Sequence, residues 1–244
     1  MKYLHIHLLS ALVVWIGLYL DGKAVAFRVE NTQIWSSVLV IITFFWIVKS
    51  VSKPVRELMF FGLIVAVGGE VLFSLVLGMY TYRLENLPLY VPFGHSIIYA
   101  SIYYLVKEPL VRNHKEKIIK LLYIAMILYS TLWLFYGDDT FGFLCMLVIV
   151  ILFKRHPDTK LFFLLMYFAI VYLELLGTYY GCWSWPEIWF DKITFIESAN
   201  PPSGISVFYF AFDVGCLWFY KHYNKRRWYT MKRMREYRVN KPRV

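Results

Sequence analysis

The sequence predicts an all-α protein, a polytopic membrane bundle of about eight transmembrane helices built as two parallel four-helix repeats. Three observations predict it. The 244-residue chain is 59% hydrophobic and 20% aromatic, whereas soluble domains average about 45–50% apolar residues. The apolar residues fall in blocks, roughly 3–20, 33–48, 58–80, 89–106, 118–136, 140–153, 160–181 and 203–220. A helix needs about 20 residues to cross a bilayer, and the 140–153 block is the shortest of the set. Finally, the positive charge is one-sided. β-Barrel spans are excluded, because they would be about ten residues long and alternating.

The net charge of +10 raises nucleic acid as a partner, and its placement argues against that. Eight spans threaded from the first residue put 22 of the 26 Lys and Arg on one side. The other side holds Lys23, Arg28, Arg83 and Lys192. Lys and Arg accumulate on the cytoplasmic side, so both termini are expected there, in a multi-pass protein of the cell (inner) membrane. Cys145, Cys182 and Cys216 are too few and too scattered for a disulfide framework or a zinc site. They read as small apolar residues.

In chain order, residues 1–20 resemble a secretory signal, with Ala24-Val25-Ala26 just beyond. The run is long for a signal core, and Asp21-Gly22-Lys23 intervenes, so a retained helix is expected. His5 and His7 are two apart and point to different helix faces. They read as interfacial rather than as a metal pair. The second block carries Trp35 and Trp46 near its two ends, an aromatic-belt pattern. The third holds Gly62, Gly68 and Gly69, which permit close helix packing, then Glu70 with Ser74 four residues on. The fourth begins near Pro88, has Pro92 in or near its first turn, and has Gly94, which leaves room for close approach. Its polar load is His95, Ser96, Tyr99, Tyr103 and Tyr104. Blocks five and six form a hairpin over Gly137-Asp138-Asp139. The seventh carries Glu174 with Thr178 four residues on. The eighth follows Pro201-Pro202 and contains Asp213. The loop 182–201, rich in Trp and Phe, is too aromatic for a solvated linker and is expected on the membrane surface or capping a cavity.

The repeat rests on matched motifs. Glu70 and Glu174 are 104 residues apart, and Pro92 and Pro202 are 110 apart. Pro92, Gly94, Ser96 and Tyr99 recur in spacing as Pro202, Gly204, Ser206 and Tyr209. Gly78-Met79-Tyr80-Thr81-Tyr82 matches Gly181-Cys182-Trp183-Ser184-Trp185. The six-residue difference in offset is assigned to loops. Residues 1–110 and 111–220 form the two repeats, and 221–244 forms a basic cytoplasmic tail. An even number of helices per repeat gives both halves the same orientation. Both glutamates then lie roughly 20 Å from the cytoplasmic side at 1.5 Å per residue.

Intramembrane ionisable residues are functional-site candidates by default. The bland alternative is a pair of neutral, hydrogen-bonded glutamates that fix packing. Two at matched depth favour a site with Glu70, Glu174, His95 and Asp213 as acid–base residues. Ser74, Tyr80, Tyr82, Tyr99, Thr178, Trp183, Trp185 and Tyr209 would line it. Facing carboxylates supply a general acid and a general base, and aromatic walls suit an apolar substrate.

A membrane helix bearing Glu, closed by Gly-x-Tyr-x-Tyr or Gly-x-Trp-x-Trp and followed by a loop and a Pro-led helix, resembles the integral-membrane carotenoid hydratases. It also resembles the heterodimer-type lycopene cyclases. The resemblance covers residues 78–104 and 174–213. Where the cyclases carry Pro-x-Glu-Glu, both positions here read Pro-x-Gly. The resemblance implies hydration, isomerisation or cyclisation of an isoprenoid double bond without a cofactor. Glu70 and Glu174 would then be acid and base, and Tyr80, Tyr82, Trp183 and Trp185 would form the lining. Two other classes stay open: a proton-coupled transporter or lipid-handling protein, and a non-catalytic membrane subunit. Expected partners are an apolar lipid substrate and membrane lipids, with anionic lipid at the basic tail. No nucleic acid and no metal are expected, and homo- or hetero-oligomerisation is left open.

Overall fold

The computed structural model describes residues 3–190, 192–226, 228–230 and 233, and it is mostly helical. In chain order come α1 (Leu4–Asp21), α2 (Lys23–Ala26), α3 (Thr32–Ser50) and α4 (Lys53–Glu70), then a π-helical turn (Val71–Val76) and the short strand β1 (Thr81–Tyr82). α5 (Tyr90–Leu105), α6 (Pro109–Asn113), α7 (Lys115–Tyr136) and α8 (Thr140–Arg155) follow. α9 (Lys160–Tyr180), β2 (Trp183–Ser184) and α10 (Ser206–Tyr223) complete the described elements.

Five helical stretches are long and apolar enough to cross a membrane by length and composition: Leu4–Asp21, Thr32–Ser50, Lys53–Val76, Lys115–Tyr136 and Pro157–Tyr180. Large apolar side chains such as Trp15, Ile42, Ile64, Leu121 and Phe135 face outward along them. A soluble monomer rarely exposes so much apolar surface, and a bilayer solvates it. The basic tail expected to meet anionic lipid lies mostly outside the described residues.

The helix ends follow local chemistry. Pro54 sits in the first turn of α4, where its missing N–H costs nothing. The Asp139 side chain caps α8 by accepting from the Gly142 N–H at 3.1 Å. Gly78 and Gly181 adopt φ of +60° and +70°, the left-handed geometry that favours glycine. Each reverses the chain at the end of a glutamate-bearing helix.

α5 and α10 each pack against both α4 and α9, so these four form a closed ring. α1 packs on α3, α5 and α9, and closes the ring on one side. α7 rests on α8 and α9 at the rim and buries only Met126 and Ser130. The two halves are therefore not packed alike: α9 takes both α1 and α7, whereas the main neighbours of α4 are α5 and α10. The two strands pair antiparallel above the ring, with Thr81 opposite Ser184 and Tyr82 opposite Trp183.

Candidate functional site

Each glutamate is reached by its own aromatic hairpin. The left-handed glycine sends the chain back over the helix end, and the next residues run extended. Alternate side chains of an extended segment point the same way. Aromatic-x-aromatic therefore aims both rings at the carboxylate below. The Tyr80 and Tyr82 hydroxyls donate to Glu70 Oε2 at 2.5 and 2.6 Å. The Trp183 and Trp185 indole N–H groups donate to Glu174 Oε2 at 2.8 and 3.0 Å. The two hairpins interleave, with the Tyr80 and Trp185 ring centroids 4.5 Å apart.

The Pro-led helices supply one further partner each, from different positions. His95 Nε2 lies 2.9 Å from Glu70 Oε1. The Tyr209 hydroxyl donates to Glu174 Oε1 at 2.8 Å. By motif, His95 matches Ile205 and Tyr99 matches Tyr209. The halves thus use different positions of a shared pattern, and the His95 and Tyr209 rings meet face to face at the centre.

The two shells differ in chemistry. An indole N–H only donates, so Glu174 Oε2 is a fixed acceptor. Phenols and imidazole both donate and accept, so the Glu70 shell can rearrange around a proton. Burial, then the Glu70 charge, push the Tyr80 and Tyr82 hydroxyls well above the usual phenol range, so both stay protonated donors. Between the carboxylates lies a cavity of about 60 Å³, lined by both glutamates, their aromatic partners, Gly94, Phe73, Phe208 and residues of α1. By water count it has room for a few molecules, or for one end of a chain-like ligand.

The other expected residues lie elsewhere. Asp213 and Tyr99 line a separate small cavity on the far side of His95 and Tyr209. Ser74 donates to the Tyr80 carbonyl at 3.2 Å and braces the first hairpin. Thr178 donates back to the Glu174 carbonyl at 2.8 Å on the outer face of α9. Neither lines the central cavity, and the two are not structural equivalents. The reason is the π-helical turn after Glu70, which absorbs one extra residue. The offset between the halves changes from 104 at the glutamates to 103 at Gly78 and Gly181. The six-residue difference in offset is therefore not confined to loops: the α4 extension holds one extra residue in the first half, and the segment between the glycine and the Pro-led helix holds seven extra in the second. Gly94 is also corrected. A side chain added there would meet open cavity, whereas at Gly204 it would strike the Gly142 carbonyl and the Met146 N–H of α8.

The aromatic stretch from β2 onward divides its side chains: Trp183 and Trp185 line the site, whereas Phe190 and Phe195 face outward. Trp183, Trp185 and Trp189 are buried, and Trp189 packs on Phe141 at 4.4 Å. Its Asp191 lies outside the described residues. Cys182 and Cys216 are buried and donate to the Leu18 and Leu58 carbonyls. His7 is largely buried within the bundle and bonds Ser101 at 3.1 Å.

Two aspartates escaped the sequence reading. Asp21 is fully buried and accepts from Arg83 at 2.5 Å and from the Tyr90 hydroxyl at 2.8 Å. Asp139 is fully buried and accepts from the Ala199 and Ser203 N–H groups at 3.1 and 2.7 Å. Each clamps the segment that leads into a Pro-led helix. Both sit at polar turns, where a carboxylate reads as solvated; the signal that could have found Asp21 is the isolated Arg83 on the cation-poor side. Among the described residues, no group of three or more His, Cys, Asp or Glu is placed to hold a metal ion.

No protein-family model, curated protein or solved structure matches this chain.

Proposed function

We propose that this chain is an eight-span membrane protein of two parallel repeats that performs acid–base chemistry on one end of an apolar, chain-like lipid. Glu70, with His95, exchanges the proton, and Glu174 is the fixed anion across the cavity. The observation that carries this reading is the pair of unlike shells, Tyr-Tyr-His around one carboxylate and Trp-Trp-Tyr around the other. Acid–base assignments follow where two titratable groups are held in different environments. Aromatic walls suit an unsaturated isoprenoid, the class that the resemblance to carotenoid hydratases and lycopene cyclases also implies, and the chemistry asks for no cofactor.

The repeat draws support from the strand register. Thr81 pairs with Ser184, its own motif counterpart, as a twofold axis between the strands demands. The charge bias supports cytoplasmic termini in the cell membrane. It also supports anionic lipid held at the basic tail, worth about 1 kcal/mol per cation near the surface.

A structural role has one observation in its favour. Each carboxylate is already held by three protein donors beside a small cavity. Extracted lipids from cells expressing wild type, Glu70→Gln and Glu174→Gln, compared by mass spectrometry, decide between the readings. A product lost in both variants supports the enzyme. Lipids that never differ from cells lacking the protein, with both variants folded, leave the structural role.

A further inference from the structure

Asp213 is the one expected acid that the paired-glutamate site does not use. It lies on α10, and its Oδ2 is buried with no hydrogen-bond partner among the described residues. It also makes no ion pair among them. A carboxyl removed from water without a partner is costly, so the group calls for one. The space beside it is a cavity of about 20 Å³ between α4, α5, α9 and α10. One water needs about 10–15 Å³ and two to four polar contacts. The polar lining is Asp213, Ser96, Tyr99, His95 and Tyr209. Ser96 spends its hydroxyl proton on the Met59 carbonyl and Tyr209 spends its own on Glu174, so both keep acceptor lone pairs. His95 engages Glu70 through Nε2, so its Nδ1 is uncommitted.

Three rings, His95, Tyr209 and Phe212, line both the central cavity and this one. They form the wall between them, and His95 and Tyr209 are its polar members.

We propose that the Asp213 cavity holds an ordered water and relays protons to the paired-glutamate site through His95. The relay rests on the acid–base reading of that site; the water does not. In one transfer, Asp213 gives its proton through the water to His95 Nδ1. The imidazole then releases its Nε2 proton to Glu70 Oε1. The net change is one proton moved from Asp213 to Glu70, with the imidazole left as the other neutral tautomer. The reverse transfers, from Glu70 through His95 and the water, return the proton to Asp213. In this scheme Asp213 never touches the lipid and acts through His95.

Radiolytic hydroxyl labelling of the full chain in lipid nanodiscs tests the water directly, because ordered internal water is activated where it sits. Met166 lines this cavity and is 3% exposed, while Met126 and Met146 are 0% and 2% exposed and line none of the described cavities. Met166 should label several-fold faster than both. The excess should vanish in Asp213→Leu, which fills and dries the space, and persist in Asp213→Asn. Equal rates for the three methionines in wild type overturn the water site, whatever the glutamate variants do to lipids. Lipid conversion should fall in Asp213→Leu; full conversion there, with the Met166 excess gone, overturns the relay. If wild type converts no lipid, the relay falls with the function it serves, and the labelling still decides the water.

Discussion

The His95 imidazole lies over the Tyr209 ring with centroids 4.7 Å apart and planes 27° apart, and each ring bonds a different glutamate. The two carboxylates are thus joined through a stacked pair, and changes at one should be felt at the other. In a double-mutant cycle of Glu70→Gln and Glu174→Gln, thermal stability in detergent should be non-additive by about 0.5–3 kcal/mol, the range for residues sharing a network. Additive effects would mean that the stack carries nothing between them.

Glu174 should tolerate an amide and not a deletion. In Glu174→Gln the amide oxygen still accepts both indoles, and the amide N–H₂ can donate to the Tyr209 oxygen. The expected cost is under ~1 kcal/mol. Glu174→Ala strands three buried donors at about 1–3 kcal/mol each, for a loss of ~3 kcal/mol or more. Melting followed by tryptophan fluorescence measures both, and comparable losses in the two variants would contradict the donor assignment.

How far the sequence carried the structure depends on the kind of signal. The apolar blocks anticipated a helical membrane protein, because bilayer-length apolar runs have few other uses. Glu70, Glu174 and the aromatic pairs came together because a left-handed glycine and a two-residue alternation are local rules. Ser74 and Thr178 were paired by counting four residues on from each glutamate, and the π-helical turn after Glu70 breaks that count; Tyr99 lies off the central cavity because α5 serves Glu70 through His95 instead. Asp21 and Asp139 were missed because burial of a turn carboxylate is decided by distant partners, Arg83 in one case and the Ser203 backbone in the other. The pairing of β1 with β2 spans about a hundred residues and leaves no periodic trace.

Two motif-matched glycines should behave oppositely. Gly94→Ala meets no atom within 4 Å and sits within α5, so it should be neutral or stabilise by up to about 1 kcal/mol through helix propensity. It also narrows the cavity mouth. Gly204→Ala would drive its Cβ into the Gly142 carbonyl oxygen. Backbone cannot swing away as a side chain can, so overpacking of about 1–3 kcal/mol or more is expected. Parallel thermal melts of the two variants check this, and a destabilised Gly94→Ala would show that its space is needed.

Burial pushes the Cys182 thiol up to about 12 from 9.0. The thiolate is the reactive form, so native protein at pH 8 should resist maleimide at Cys182 and react once unfolded. The sign for stability follows. The unfolded thiol ionises near pH 9 and the folded one does not, so this site's contribution is intact below pH 9 and declines as pH rises above it. Peptide mapping after labelling reads the first effect. Rapid modification of Cys182 in the folded state would place it at a surface.

Arg83 and Asp21 tie the first hairpin to the end of α1. The Arg83 guanidinium is 15% exposed and the Asp21 carboxylate 0%, so the pair is largely desolvated. Such a pair gains little net stability over apolar replacements, yet removing one partner leaves a buried charge and costs about 3–5 kcal/mol. Arg83→Met should therefore destabilise by that amount, because Tyr90 alone remains to serve Asp21. Adding Asp21→Asn should restore most of the loss, since a neutral amide can still accept from the Tyr90 hydroxyl. The hairpin carries Tyr80 and Tyr82, so the single variant should also loosen the Glu70 shell and slow whatever chemistry Glu70 performs, while the double variant recovers it. Fluorescence-detected size exclusion after heating ranks the three proteins. If the double variant is no more stable than Arg83→Met, the guanidinium acts through something other than the Asp21 charge.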